Sequence, residues 1–157
     1  IPSTTQAPRA AKPLAIASGT PGLGQRVLYV DDQVWMLPMV QRTLQDVGYA
    51  VTVHQDPRQA LADLRANPQF FDLVITDYRM PLMSGFDVAR EVRALRSDLP
   101  VAVISGYVVE QLHADPASRN VAAFIYKPRL VEELLPAVER LLLRPRSAQV
   151  DGQPARQ

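Results

Sequence analysis

Five side chains carry the chemistry open to this chain: Asp31, Asp32, Asp77, Ser105 and Lys127. The apolar, β-branched runs Arg26–Asp31, Asp72–Thr76, Pro100–Ile104 and Val121–Tyr126 read as strands, and the five residues stand at their carboxyl ends. Ligands of an open parallel sheet sit outside those ends. One edge therefore gathers three carboxylates, a hydroxyl and an ammonium. Carboxylates held together repel, and at least one would take up a proton. A hard divalent cation removes the conflict, and Mg²⁺ prefers carboxylate and carbonyl oxygens in octahedral geometry. An aspartate beside such an ion can attack a phosphoryl group, because the ion and an ammonium neutralise charge on the transferring oxygens. The product is an acyl phosphate, a form of covalent catalysis.

The elements that must position these groups follow from spacing. Val34–Val47 is helical, with Trp35, Met39, Val40, Leu44 and Val47 as its apolar positions and Gly48 as its stop. Pro38 lies in its first turn, where N–H groups have no intrahelical partner. Tyr49–His54 is a further strand. Pro57–Ala66 is a helix with Ala60, Leu61 and Leu64 on one face and Asp56 as N-cap. Phe86–Leu95 is helical, Val108–Leu112 begins a helix that Pro116 cuts short, and Leu130–Leu143 is a last amphipathic helix. Five strands alternating with five helices give an α/β fold with a parallel sheet covered on both faces. Unbroken apolar runs such as Leu73-Val74-Ile75 fit burial on both sides.

The 157 residues suit one domain with tails. Residues 1–25 and 144–157 are rich in Pro, Ser, Ala and Gly and read as flexible segments, leaving 26–143 as the domain. The net charge of +1 is uneven, for the stretch 26–143 holds 12 basic and 15 acidic residues. A mildly acidic core argues against nucleic-acid binding by this domain. No apolar run reaches the roughly 20 residues of a membrane span. Cysteine is absent, which excludes disulfides and thiolate metal sites and fits a cytoplasmic setting.

Four fragments, taken in order, resemble the receiver domains of two-component response regulators: Leu28–Asp32, Asp72–Gly85, Val103–Gly106 and Tyr126–Pro128. The resemblance covers roughly the whole stretch 26–143. It implies the flavodoxin-like fold with sheet order 2-1-3-4-5. It implies Asp77 as phosphoacceptor, with Mg²⁺ held by Asp32, Asp77 and the backbone carbonyl of Arg79, and by Asp31 through a water. Ser105 would donate its hydroxyl to the phosphoryl group, and Lys127 would pair with a phosphoryl oxygen. Phe124 stands where the family has its switch aromatic, with Ser105 as its switching partner. Arg79 and Tyr107, each two residues past a site residue, are placed to gate water. The implied partner is a histidine kinase or histidine phosphotransfer domain, with no membrane contact by this domain; a homodimer is compatible with it. The Pro-rich segment, the start at Ile1 rather than Met, and the Val103–Tyr107 run point to the C-terminal receiver of a hybrid sensor histidine kinase, whose parent chain is compatible with a membrane anchor. A stand-alone regulator is the alternative.

Blander readings stand beside these. Asp31-Asp32 alone suits a helix cap, and Phe124 suits a core aromatic. Lys127 could be a surface lysine, yet it is the only lysine of the core among a chain that otherwise uses Arg, which favours a site needing a compact ammonium. Trp35 reads as packing, and His54 and His113 as isolated surface residues. The glycines of 19–24 precede a strand and lack a Lys-Ser/Thr ending, so they form no phosphate loop. A haloacid-dehalogenase-type phosphatase would need Asp-x-Asp on the first strand, and a flavodoxin relative a Ser/Thr-rich loop there. Adjacent Asp31-Asp32 suits neither.

Overall fold

The β-branched runs become five parallel strands of one sheet. The computed structural model describes residues 22–143; the segment up to residue 21 and the tail 144–157 lie outside the described residues. In chain order the elements are β1 (Arg26–Val30), α1 (Met36–Asp46), β2 (Ala50–His54), α2 (Pro57–Ala66), β3 (Leu73–Asp77), α3 (Gly85–Leu95), β4 (Val101–Ser105), α4 (Val109–Leu112), a 3-10 turn (Pro116–Asn120), β5 (Ala123–Tyr126) and α5 (Leu130–Leu143). The sheet order is β2-β1-β3-β4-β5. This is the doubly wound flavodoxin-like order 2-1-3-4-5, as expected.

Alternate residues of each strand face opposite layers. Val27, Tyr29, Leu73, Ile75, Ile104 and Ile125 pack against α1 and α5 through Val40, Leu44, Leu134 and Val138. Leu28, Val30, Val74, Val101 and Val103 pack against α2 and α3 through Leu61, Leu64, Val88 and Val92. Every residue of β3 and β4 is buried, while β2, an edge strand, is only partly covered. Each such aliphatic side chain removed from water contributes about 1.5–3 kcal/mol before chain entropy is counted.

Strand register sets the site. Val30 pairs with Thr76, so Asp31 and Asp77 leave the sheet at the same level. Asp77 pairs with Ile104, which sets Ser105 one residue further along the neighbouring strand. Below them α3 starts abruptly. The Ser84 hydroxyl accepts from Asp87 N at 3.1 Å, and Ser84 N donates to Asp87 Oδ2 at 3.0 Å, a reciprocal cap. Gly85 must be glycine, because a Cβ there would lie 2.7 Å from the Asp77 carbonyl oxygen. That close approach lets α3 begin directly beneath the aspartate.

Several expectations need correcting. Helix α1 starts at Met36, two residues later than predicted, and buries Met36, Leu37, Val40 and Leu44. Trp35 therefore precedes the helix and is 63% exposed, so it is not core packing. His54, expected at the surface with no second histidine at ligand spacing, has an acid beside it instead, its Nε2 lying 2.6 Å from Asp63 Oδ2 on α2. Residues 22–25, grouped with the linker in the sequence, are tied down. Gly24 N donates to Gly48 O at 2.9 Å, and Ala50 N to Gln25 O at 2.9 Å. The fourth helix behaves as Pro116 predicts: one turn, then a 3-10 segment whose Asp115 side chain accepts from Ala117 N at 2.9 Å. No helix among the described residues is long and apolar enough to cross a membrane.

Candidate phosphoacceptor site

Asp31 is fully buried, and both its oxygens are engaged. The Tyr29 hydroxyl donates to Oδ2 at 2.7 Å, and Gln33 N donates to Oδ1 at 2.9 Å. Tyr29 reaches it because residues two apart in a strand share a face. Asp32 is half-buried, and its Oδ1 is sealed from solvent with no hydrogen-bond partner. Asp77 is 3% exposed. Carboxylate oxygens of Asp31, Asp32 and Asp77 all lie within 4.8 Å of one another.

One ammonium answers these three acids. Lys127 Nζ lies 3.0 Å from Asp77 Oδ1 and donates to Gln33 Oε1 at 3.0 Å. The imbalance shows in the titration of the acids. Burial, then the charge of Asp31, pushes the Asp77 carboxyl up to about 6, against the pull of Lys127. Burial also pushes Asp31 up, opposed by the hydrogen bonds from Tyr29 and Gln33. Burial and the neighbouring Asp31 push the Tyr29 phenol up, which keeps it a donor.

The remaining predicted residues lie around this cluster. Ser105 is buried at the end of β4, and its Oγ accepts from Tyr107 N at 2.9 Å. Arg79 and Tyr107 meet each other: Arg79 Nε donates to the Tyr107 hydroxyl at 3.3 Å, and the guanidinium lies 5.6 Å from the ring centroid. Phe124 is half-buried on β5, 6.2 Å from the Phe86 ring and 5.2 Å from the His113 ring. His113, read as an isolated surface residue, thus touches the expected switch aromatic.

Sequence reasoning missed Tyr29 and Gln33. Tyr29 had a usable signal, a phenol two residues before an acid in a buried strand. Gln33 had none, for its side-chain partner is 94 residues away.

The donor set fits a hard divalent cation. Three buried or half-buried acids face one ammonium, and a sealed Asp32 oxygen has nothing to bind. Fold and site together define a doubly wound α/β domain with an acidic, cation-seeking edge. The family model of the response regulator receiver domain matches residues 27–139, and the chain belongs to that family, the phosphoacceptor module of two-component signalling. It is similar to the two-component response regulator ARR10 of Arabidopsis thaliana, 38% identical over 112 residues, covering 71% of this chain and 20% of that protein. Among solved structures it is similar to the response regulator TrrA from Thermotoga maritima in complex with Mg²⁺-BeF, with 29% identity and a TM-score of 0.68, covering 75% of this chain and 99% of that one. It is also similar to the receiver domain of the hybrid histidine kinase CckA, with 29% identity and a TM-score of 0.62, covering 74% and 98% of the two chains. The chain spans between about a fifth and a half of the length of the curated relatives it matches.

Proposed function

We propose that Asp77 is the phosphoacceptor, taking a phosphoryl group from a phosphohistidine of a histidine kinase or phosphotransfer domain. The observation that carries this is the contact of Asp77 Oδ1 with Lys127 Nζ at 3.0 Å, beside two further carboxylates. Asp31 is a poor nucleophile, because both its oxygens already accept hydrogen bonds. That also disfavours a phosphatase whose nucleophile stands on the first strand.

Mg²⁺ would be held by Asp32 and Asp77 with the Arg79 carbonyl, and by Asp31 through a water. When bound it supplies positive charge that offsets the acids and the transferring oxygens. The chain does the rest. Burial of Asp77 strips competing water from the carboxylate. Lys127 offers its ammonium to a phosphoryl oxygen. The Ser105 hydroxyl, its oxygen held by Tyr107 N, has its proton free to donate. Arg79 and Tyr107, two residues past Asp77 and Ser105 and joined to each other, limit water access to the acyl phosphate. Ser105 and Phe124 carry the conformational response.

Within the family, the finer reading is the receiver of a hybrid sensor kinase, supported by the Val103–Tyr107 run and by the likeness to the CckA receiver. The likeness to TrrA supports a stand-alone regulator equally well. The reading frame of the whole gene product decides between them. The exposed apolar side chains of Val34 and Trp35, in the loop that follows Asp31-Asp32, and of Val131, in the first turn of α5 after Lys127, suit a partner that must bring a phosphohistidine to Asp77.

Incubation with acetyl phosphate and Mg²⁺ should add one phosphoryl group by intact mass, and Asp77→Asn should add none. Undiminished labelling of Asp77→Asn would reject the assignment.

A further inference from the structure

The ammonium that serves Asp77 is itself held, and the holder is Gln33. Lys127 is a long side chain with four rotatable bonds, and its side chain is 27% exposed. Left to itself it samples many rotamers, and fixing it costs entropy. Two contacts restrain it. One is Asp77 Oδ1 at 3.0 Å, and the other is Gln33 Oε1 at 3.0 Å. The Asp77 contact cannot persist unchanged. When an Asp77 oxygen forms its bond to phosphorus and the donor leaves with the old bonding pair, the carboxylate charge that attracted the ammonium moves out onto the phosphoryl oxygens. The Gln33 oxygen takes no part in that chemistry, so it is the contact that can persist throughout.

Gln33 is also well anchored for the task. Its backbone N–H donates to Asp31 Oδ1 at 2.9 Å, and Asp31 is fully buried. The side chain therefore leaves a fixed point in the loop between β1 and α1. Its chemistry matters as much as its position. An amide oxygen accepts a hydrogen bond from the ammonium without neutralising it, leaving the full charge for the phosphoryl group. A carboxylate at the same place would pair with Lys127 and draw it from Asp77.

We propose that Gln33 is a positioning residue that tethers the Lys127 ammonium over Asp77 through a neutral acceptor. This rests on the reading of Asp77 and Lys127 given above. Gln33 is exposed, so substitutions there leave the core intact.

The test uses Gln33→Met, which keeps the length and removes the acceptor, and Gln33→Glu. With acetyl phosphate as donor, Gln33→Met should lower the phosphorylation rate constant of Asp77 by about three- to tenfold, the size of one exposed hydrogen bond to a charged group. The Mg²⁺ dissociation constant, by calorimetry, should stay within about twofold of wild type, and so should the donor concentration at half-maximal rate. Gln33→Glu should be at least as slow as Gln33→Met. Beryllofluoride affinity should fall on Gln33→Met in the wild-type background and stay unchanged in a Lys127→Met background. An unchanged rate constant in Gln33→Met, a shifted Mg²⁺ affinity, or an equal fall of beryllofluoride affinity in both backgrounds would overturn the tether. Asp77→Asn run alongside separates the two readings. If that variant still labels, the site reading and the tether fall together; if labelling needs Asp77 and Gln33→Met labels normally, the tether alone falls.

Discussion

Asp77 and Arg96 are buried charges at opposite edges of the same sheet, and they are treated in opposite ways. Arg96 follows α3 and is 6% exposed. Its Nη1 donates to the carbonyls of Pro68 and Phe71 at 2.9 and 2.7 Å, and its Nε to Asp98 Oδ1 at 2.9 Å. Neutral carbonyls and one acid satisfy most of that fork, and the result is a clamp between α3 and the loop entering β3. Asp77 instead has two acids as neighbours and a single ammonium. A charge closed off by its own chain serves stability. A charge left outnumbered by like charges serves binding, because only something from outside relieves it.

The largest effect that sharpens this contrast is on stability. Arg96→Met should cost about 2–4 kcal/mol in urea denaturation, since it strands the Pro68 and Phe71 carbonyls. The folded fraction should still accept phosphoryl at the wild-type rate. A cost below about 0.5 kcal/mol, the range of ordinary surface changes, would break the comparison.

Asp77→Asn should do the reverse in metal-free buffer near neutral pH and stabilise the protein. The Asp77 carboxyl is raised to about 6 from an ordinary 3.8. Between those values the folded protein keeps a proton that the unfolded chain has released. Its contribution to stability is therefore full below about pH 4 and is lost as pH rises through about 6, a loss on the order of 2–3 kcal/mol for so buried a group. Denaturation curves in chelator across that window should show this slope in wild type. Asp77→Asn should flatten it and gain about 1–3 kcal/mol at neutral pH. A wild-type stability that climbs with pH there, with no difference in the variant, would show that the cluster is not strained.

Metal binding gives the next effect. Asp32→Asn should weaken Mg²⁺ binding by about tenfold or more, roughly 1.4 kcal/mol, and more than Asp31→Asn does. Asp32 has the unpartnered oxygen, whereas both Asp31 oxygens are engaged. Calorimetric titrations in the reverse order would exchange the two roles. The smallest effect is optical. Trp35 lies three residues past Asp32 and is exposed, so its emission should change modestly and saturably with Mg²⁺. A response that survives in Asp32→Ala would come from elsewhere.

Much of this was legible in the sequence, for identifiable reasons. Helices α2 and α5 begin and end where the pattern places them, because Asp56-Pro57 and the long apolar stripe from Leu130 are local signals. The strand ends were readable because hydrophobic runs stop at charges, and parallel topology then brings those charges to one edge. Trp35 misled because the apolar positions near Val34 fit two helical frames one residue apart. Tertiary packing chose the frame of Met36, Val40 and Leu44, which leaves Trp35 and Met39 outside the core. The grip of Gln33 on Lys127 was out of reach, since nothing local to either residue encodes a contact between the first loop and the end of the last strand.

The most direct test of the central claim is chemical mapping of the phosphoryl group. After labelling with acetyl phosphate and Mg²⁺, borohydride reduces an aspartyl phosphate to homoserine, which peptide mass spectrometry locates to one residue. The result expected is homoserine at position 77 alone, in proportion to the phosphoryl group incorporated. Homoserine at position 31 or 32, or labelled protein with none at 77, would contradict the account.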